Sequence, residues 1–192
     1  MQPSGSIQKA KPGRPSTGAR ERILAAAMEV LKADGYAGLT TAKVAARAGQ
    51  NKALIQYHFG SKQGLVAAAA REVSALITAE LLAGIEEDDV IPGLVEGLER
   101  ILDRDEGLAR VYFDLASQSI VEPEIRAIMA EVKAGYRAVL AERLDVRDPQ
   151  AAAVYLIAAL EGFTLERLER GETAELRRAR DWFLESAPRI IA

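Results

Sequence analysis

Between Leu39 and Phe59 the sequence leaves the backbone few choices. Thr40 stands where a helix N-cap is needed, and Val44, Ala45 and Ala48 follow at helical spacing. Gly49-Gln50-Asn51 interrupts that pattern, and glycine enters a left-handed turn without a Cβ penalty. Asn51 can cap a second short helix, with Ile55 and Phe59 four apart on its inner face and Gly60 as its stop. Two short helices joined by a three-residue turn containing glycine make a helix-turn-helix. Ala45 is small where the two helices must cross closely. The second helix turns Lys52, Ala53, Leu54, Gln56 and Tyr57 outward. Lys52 and Gln56 are polar donors one turn apart on that surface, the chemistry that phosphate contact and base-edge readout require.

The charge distribution points the same way. The chain has 25 Lys plus Arg against 28 Asp plus Glu, a net charge of -3. Ten of the basic residues but only three of the acidic ones lie at or before Lys62, a surplus of seven positive charges, leaving ten net negative charges on the rest. Such a split suits an anion-facing module attached to an acidic body. Lys32 and Arg47 are expected to be simply solvated.

The remainder reads as helix. Met1 to Thr17 is rich in Gln, Pro, Ser, Gly and Lys without apolar periodicity, so residues 1–18 are expected to form a disordered basic arm. From Gly18 the composition shifts to Ala, Leu, Glu and Arg, with no strand-period pattern. A first helix with Ile23, Ala27, Val30 and Leu31 on one stripe should close at Gly35. Ser61 should cap a long helix ending near Gly84. Five more are expected at about 90–103, 107–119, 123–144, 149–168 and 174–190, with Pro123 and Pro149 in first turns. The fold class is all-α, with about nine helices. A helix-turn-helix domain spans 19–64 and a helical regulatory and dimerisation domain 65–192.

Enzyme chemistry finds little support. There is no cysteine and a single histidine, His58, so thiol nucleophiles, Cys-based metal sites and multi-His sites are excluded. Glu86 to Asp89 reads as a solvated turn, and Glu161 and Glu166 lack the setting of paired catalytic carboxylates. No phosphate-binding glycine pattern is present. We expect no enzyme activity, no cofactor and no metal. The longest uncharged stretch, Pro149 to Leu160, has 12 residues, short of the ~20 of a membrane span. With no apolar run at the N-terminus, a cytoplasmic protein is the default expectation.

Ala19-Arg20-Glu21-Arg22-Ile23-Leu24-Ala25-Ala26-Ala27, then Gly38-Leu39-Thr40-Thr41-Ala42-Lys43-Val44-Ala45-Ala46-Arg47-Ala48-Gly49, then Tyr57-His58-Phe59-Gly60-Ser61-Lys62 resemble, in order and spacing, the DNA-binding domain of the TetR family of transcriptional regulators. The resemblance covers Ala19 to Leu65. It implies that Thr40 and Thr41 hold a DNA phosphate at a helix N-terminus, with Lys43 on the same helix. It implies that Lys52, Ala53, Leu54, Gln56 and Tyr57 lie in the major groove. Tyr57 contacts phosphate in this picture, His58 contacts phosphate or packs, and Lys62 reaches the backbone. Gln50 and Gln56 depart from the family, which has an apolar residue and a tyrosine there. Gln56 is thus expected to read a base, adenine being its natural match, and Leu54 to meet a thymine methyl. In the arm, Gly13-Arg14-Pro15 resembles a minor-groove hook that would insert Arg14.

Ala151 to Leu160 is apolar all round its helix, which calls for burial on nearly every side. We therefore expect Val154, Ile157 and Ala158, with Trp182 and Phe183 of the last helix, to meet a second subunit, and the family's dimers agree. The family also implies a small-molecule pocket in the body. Tyr112, Phe113, Met129, Tyr136, Tyr155 and Phe163 are its candidate lining, and a largely apolar effector its ligand. The expected function is a ligand-responsive regulator, a repressor that binds a palindromic double-stranded operator as a homodimer. The alternative is a helical enzyme or interaction module whose basic end binds another anion.

Overall fold

The computed structural model describes residues 18–83, 85 and 90–192. Arg14 and the rest of the arm before Gly18, the expected helix end at Gly84 and the acidic turn Glu86 to Asp89 lie outside the described residues. Among those described, eight helices and no strand occur: α1 (Ala19–Gly38), α2 (Thr41–Ala48), α3 (Lys52–Phe59), α4 (Lys62–Leu82), α5 (Val90–Val121), α6 (Pro123–Ala141), α7 (Pro149–Arg170) and α8 (Ala174–Ile191).

Short polar side chains cap α2, α3, α4, α7 and α8. The Thr40 hydroxyl accepts from the Lys43 amide at 3.2 Å, Asn51 Oδ1 from Ala53 at 2.9 Å, and Ser61 Oγ from Gly64 at 2.9 Å. Asp148 and Thr173 do the same for α7 and α8. Each such bond satisfies an amide that the helix leaves without a partner, worth about 1 kcal/mol. Two breaks differ from expectation. Gly35 does interrupt α1, at φ 66°, but a further turn carries the helix on to Gly38. The separate helices expected at 90–103 and 107–119 run together as α5, with Asp105 alone leaving helical geometry at φ −153°, ψ 69°.

Two apolar cores organise the chain. The first joins Ile23 and Val30 of α1, Leu39, Val44 of α2, Ile55 of α3 and Leu65 of α4 to Tyr112 and Leu115 of α5 and Ile125 of α6. It runs across residue 64 without a gap, so the helix-turn-helix is packed onto the body rather than tethered to it. The second core joins Leu94, Leu98 and Leu102 of α5, Leu140 of α6, Leu156 and Leu160 of α7, and Phe183 and Ala187 of α8. Each large side chain fully removed from water contributes about 1.5–3 kcal/mol.

Within the single chain, helix α7 is covered on one side only. Ala153, Leu156, Ile157 and Leu160 are buried within the chain, while Ala151, Val154, Ala158 and Leu165 form an exposed stripe.

Candidate nucleic-acid interface and regulatory cavity

The helix-turn-helix is fixed from beneath by Val44, Ala45 and Ile55, all buried. Gly49 makes the turn at φ 60°, ψ 35°, and the Gln50 amide donates back to the Ala45 carbonyl at 3.0 Å. A Cβ at Gly49 would meet nothing within 4 Å, so the glycine serves the left-handed backbone and not a close approach. The outer surface presents Thr40, Lys43, Lys52, Ala53 and Gln56 to solvent, with Tyr57 70% exposed. Among the described residues Lys52 has no ionic partner, whereas Lys43 Nζ lies 3.3 Å from Asp34. Thr41 is half-buried beside its cap.

Several placements differ from the sequence reading. Leu54 is half-buried and packs against the first core, so its methyls only edge the outer face. Gln50, polar where the family has an apolar residue, is likewise half-buried. His58 is wedged edge-on between Tyr57 and Phe59, and its buried Nε2 has no hydrogen-bond partner. Lys32 and Arg47 are not simply solvated: Lys32 pairs with Asp105, and Arg47 lies 3.4 Å from Glu29.

Behind this surface, a junction ties α1 to the body. The Tyr36 amide donates to Asp114 Oδ2 at 2.5 Å, and its hydroxyl donates to Glu122 Oε2 at 2.7 Å. Gly35 makes room, since a Cβ there would stand 3.0 Å from Asp114 Oδ2. Burial, then the bond to Glu122, pushes the Tyr36 phenol up to about 12. Lys62 Nζ sits 4.7 Å from the centre of the same ring. One residue thus meets a candidate DNA contact with its ring and, through its backbone amide and Asp114, the helix that forms the cavity wall. Sequence reading missed this junction because Tyr36, Asp114 and Glu122 are far apart in the chain and each is ordinary where it stands.

The cavity lies between the two cores, with a volume of about 80 Å³. Helix α4 contributes Ile77, Thr78 and Leu81, α5 contributes Tyr112 and Phe113, and α7 contributes Ile157, Leu160 and Glu161. Of the six residues expected to line it, Tyr112, Phe113 and Tyr136 do. Met129 is instead buried in the first core, and Tyr155 and Phe163 pack on Phe183 in the second. Sequence reading passed over Glu161, which is the cavity's acid. Glu161 accepts from the hydroxyls of Tyr112 and Tyr136, the latter at 3.0 Å, and from Lys133 Nζ at 3.1 Å. Burial pushes both phenols well up, so they stay neutral donors. The available signal was register: Glu161 falls four residues after Ile157, continuing the inner face of an apolar helix.

The expected dimer residues divide. Val154 (44% exposed), Ala158 and Trp182 (66% exposed) face outward, while Ile157 and Phe183 are buried in the chain's own interior. Ile157 lines the cavity and Phe183 closes the second core, because each lies on the inner face of its helix.

A basic helix-turn-helix with its outer face open, packed on an all-helical body that holds a cavity, defines a DNA-binding transcriptional regulator. The family model for bacterial regulatory proteins of the tetR family matches residues 23–69. The HTH-type transcriptional repressor AcnR of Corynebacterium efficiens is 27% identical over 170 residues, 81% of this chain and 85% of that protein. The multidrug binding protein EbrR, solved in complex with imidazole, is 30% identical with a TM-score of 0.69, covering 90% of this chain and 94% of that one. A TetR-family regulator from Rhodococcus sp. is 23% identical but superposes with a TM-score of 0.79 over 92% of this chain and 100% of its own, a likeness of fold. The chain belongs to the TetR family. No helix among the described residues is long and apolar enough to cross a membrane.

Proposed function

We propose that the protein is a dimeric repressor released from its operator by a small molecule held in the cavity. The single observation that carries this reading is the placement of the cavity: its wall includes α4, which leads directly from the helix-turn-helix through the Ser61 cap. AcnR, described as a repressor, supports the sign of regulation, and EbrR, a multidrug binding protein, supports a ligand in the body.

In this reading residues 19–64 read DNA, residues 65–192 sense and dimerise, and the arm at 1–18 adds basic contacts. Thr40, Thr41, Lys43, Tyr57 and Lys62 position the domain on phosphates, and Lys52 and Gln56 work in the major groove. A dimer through Val154, Ala158 and Trp182 would set two recognition helices to half-sites about 34–36 Å apart. The cavity is below the ~300 Å³ at which drug-sized sites begin, so such an effector must open it. Opening separates α4 and α5 from α7, and the ligand shifts the equilibrium only by its preference for that opened state.

The test is binding to the chain's own upstream intergenic DNA across a salt series. Binding should survive competitor DNA and weaken steeply with salt as counterions are released. Binding that vanishes with competitor at every salt concentration would overturn the reading.

A further inference from the structure

We propose that the cavity takes an organic cation, and that Lys133 is the resident cation such an effector replaces. This rests on the reading of the cavity as the effector site.

Glu161 is the only charged residue on the cavity wall among the described residues. Its neighbours there are apolar, apart from Thr78, Thr164 (whose hydroxyl donates to the Leu160 carbonyl) and two phenols whose hydroxyls are already given to its Oε1. Lys133 does not line the cavity. It reaches the carboxylate from α6, with Nζ at 3.1 Å from Oε1 and 3.3 Å from Oε2. The same Nζ stands 5.6 Å from the centre of the Tyr112 ring. The lysine therefore occupies both halves of a cation site, the anion and the aromatic face.

That geometry discriminates among effectors. An anion in the cavity would be repelled by Glu161. A neutral molecule of similar shape gains only apolar contact, and leaves the carboxylate to whatever Lys133 still supplies. An onium group gains the carboxylate and the ring of Tyr112 together, with Phe113 and Leu160 against its alkyl surface. Lys133, whose side chain is 27% exposed, can swing into water without burying its charge. One cation enters as another leaves, so the partly buried carboxylate is never left unpaired, the state that would be costly. A strongly hydrated inorganic cation is disfavoured by walls that offer few oxygen ligands.

Charge-only ligand pairs test this on the intact protein. Choline and its uncharged isostere 3,3-dimethylbutan-1-ol form one pair, benzyltrimethylammonium and neopentylbenzene another, all by calorimetric titration. At least one cation should bind about tenfold or more tightly than its isostere. Glu161→Gln should remove most of that difference and leave the isostere unchanged. Lys133→Met, which removes the competitor, should tighten cation binding severalfold. Equal binding of cation and isostere, indifference to Glu161→Gln, or weaker cation binding in Lys133→Met would each overturn the proposal. So would the absence of binding by both cations while operator binding is intact. Loss of operator binding by the free protein would instead sink the regulator reading. Cations that bind by these rules without releasing DNA would uphold the site and count against the cavity's regulatory role alone.

Discussion

The two cores differ in what they hold. The first fastens the helix-turn-helix to α5 and α6, whereas the second fastens α7 and α8 to the other half of α5. The first therefore carries the DNA-reading surface, and the second carries the exposed stripe suited to a partner subunit. Tyr112 belongs to the first core and Leu160 to the second, and both line the cavity. The difference teaches where regulation can act. In the proposed reading, a molecule inserted at the seam would move the reader relative to the exposed stripe of α7, because it would press on both cores at once.

The comparison can be broken most forcefully by asking whether the cores unfold together. Leu39→Ala in the first and Leu156→Ala in the second should each lower stability by about 2–5 kcal/mol, the cost of a deleted buried leucine. Trp182, the single tryptophan, lies exposed on α8, the helix that the second core holds through Phe183, so its fluorescence reports that half while circular dichroism reports all helices. Coincident urea transitions by both probes would mark one cooperative unit, and separated transitions would mark two. Within the reader, Gln56→Ala should cost about 1–3 kcal/mol on the preferred operator and little on others. Lys62→Ala should weaken binding to all sequences alike and reduce the salt slope by about one, measured by fluorescence anisotropy. Thr40→Ala removes the α2 cap and should cost about 1 kcal/mol of thermal stability. The smallest effect concerns the junction. The Tyr36 phenol is raised from 10.0 to about 12, so its contribution is full below pH 10 and lost as pH climbs through about 12. Tyr36→Phe should accordingly show a shallower loss of stability over that window than the parent.

Much of the reader was legible because its signals are local. The caps at Thr40, Asn51 and Ser61, the glycine turn at Gly49 and the buried Ile55 are each set by neighbours within a few residues. The cavity was legible only in part, since lining depends on which face of each helix turns inward and against what. Tyr112 and Tyr136 were reachable by residue type, but Tyr155 and Phe163 share that type and fill the second core instead. Composition showed that α7 is apolar all round but not which side the chain itself covers: Ile157 is buried and Val154 is exposed. Glu161 was hidden because its partners Lys133, Tyr136 and Tyr112 come from two other helices.

The central claim, that filling the seam weakens DNA binding, can be tested without an effector. Ala109 is buried and lines the cavity, so Ala109→Leu places added bulk where a ligand would sit. Operator affinity of the folded variant should fall about tenfold, within the usual range of allosteric coupling. A variant that keeps the parent's helical content and oligomeric state, and binds the operator with unchanged affinity, would contradict the account.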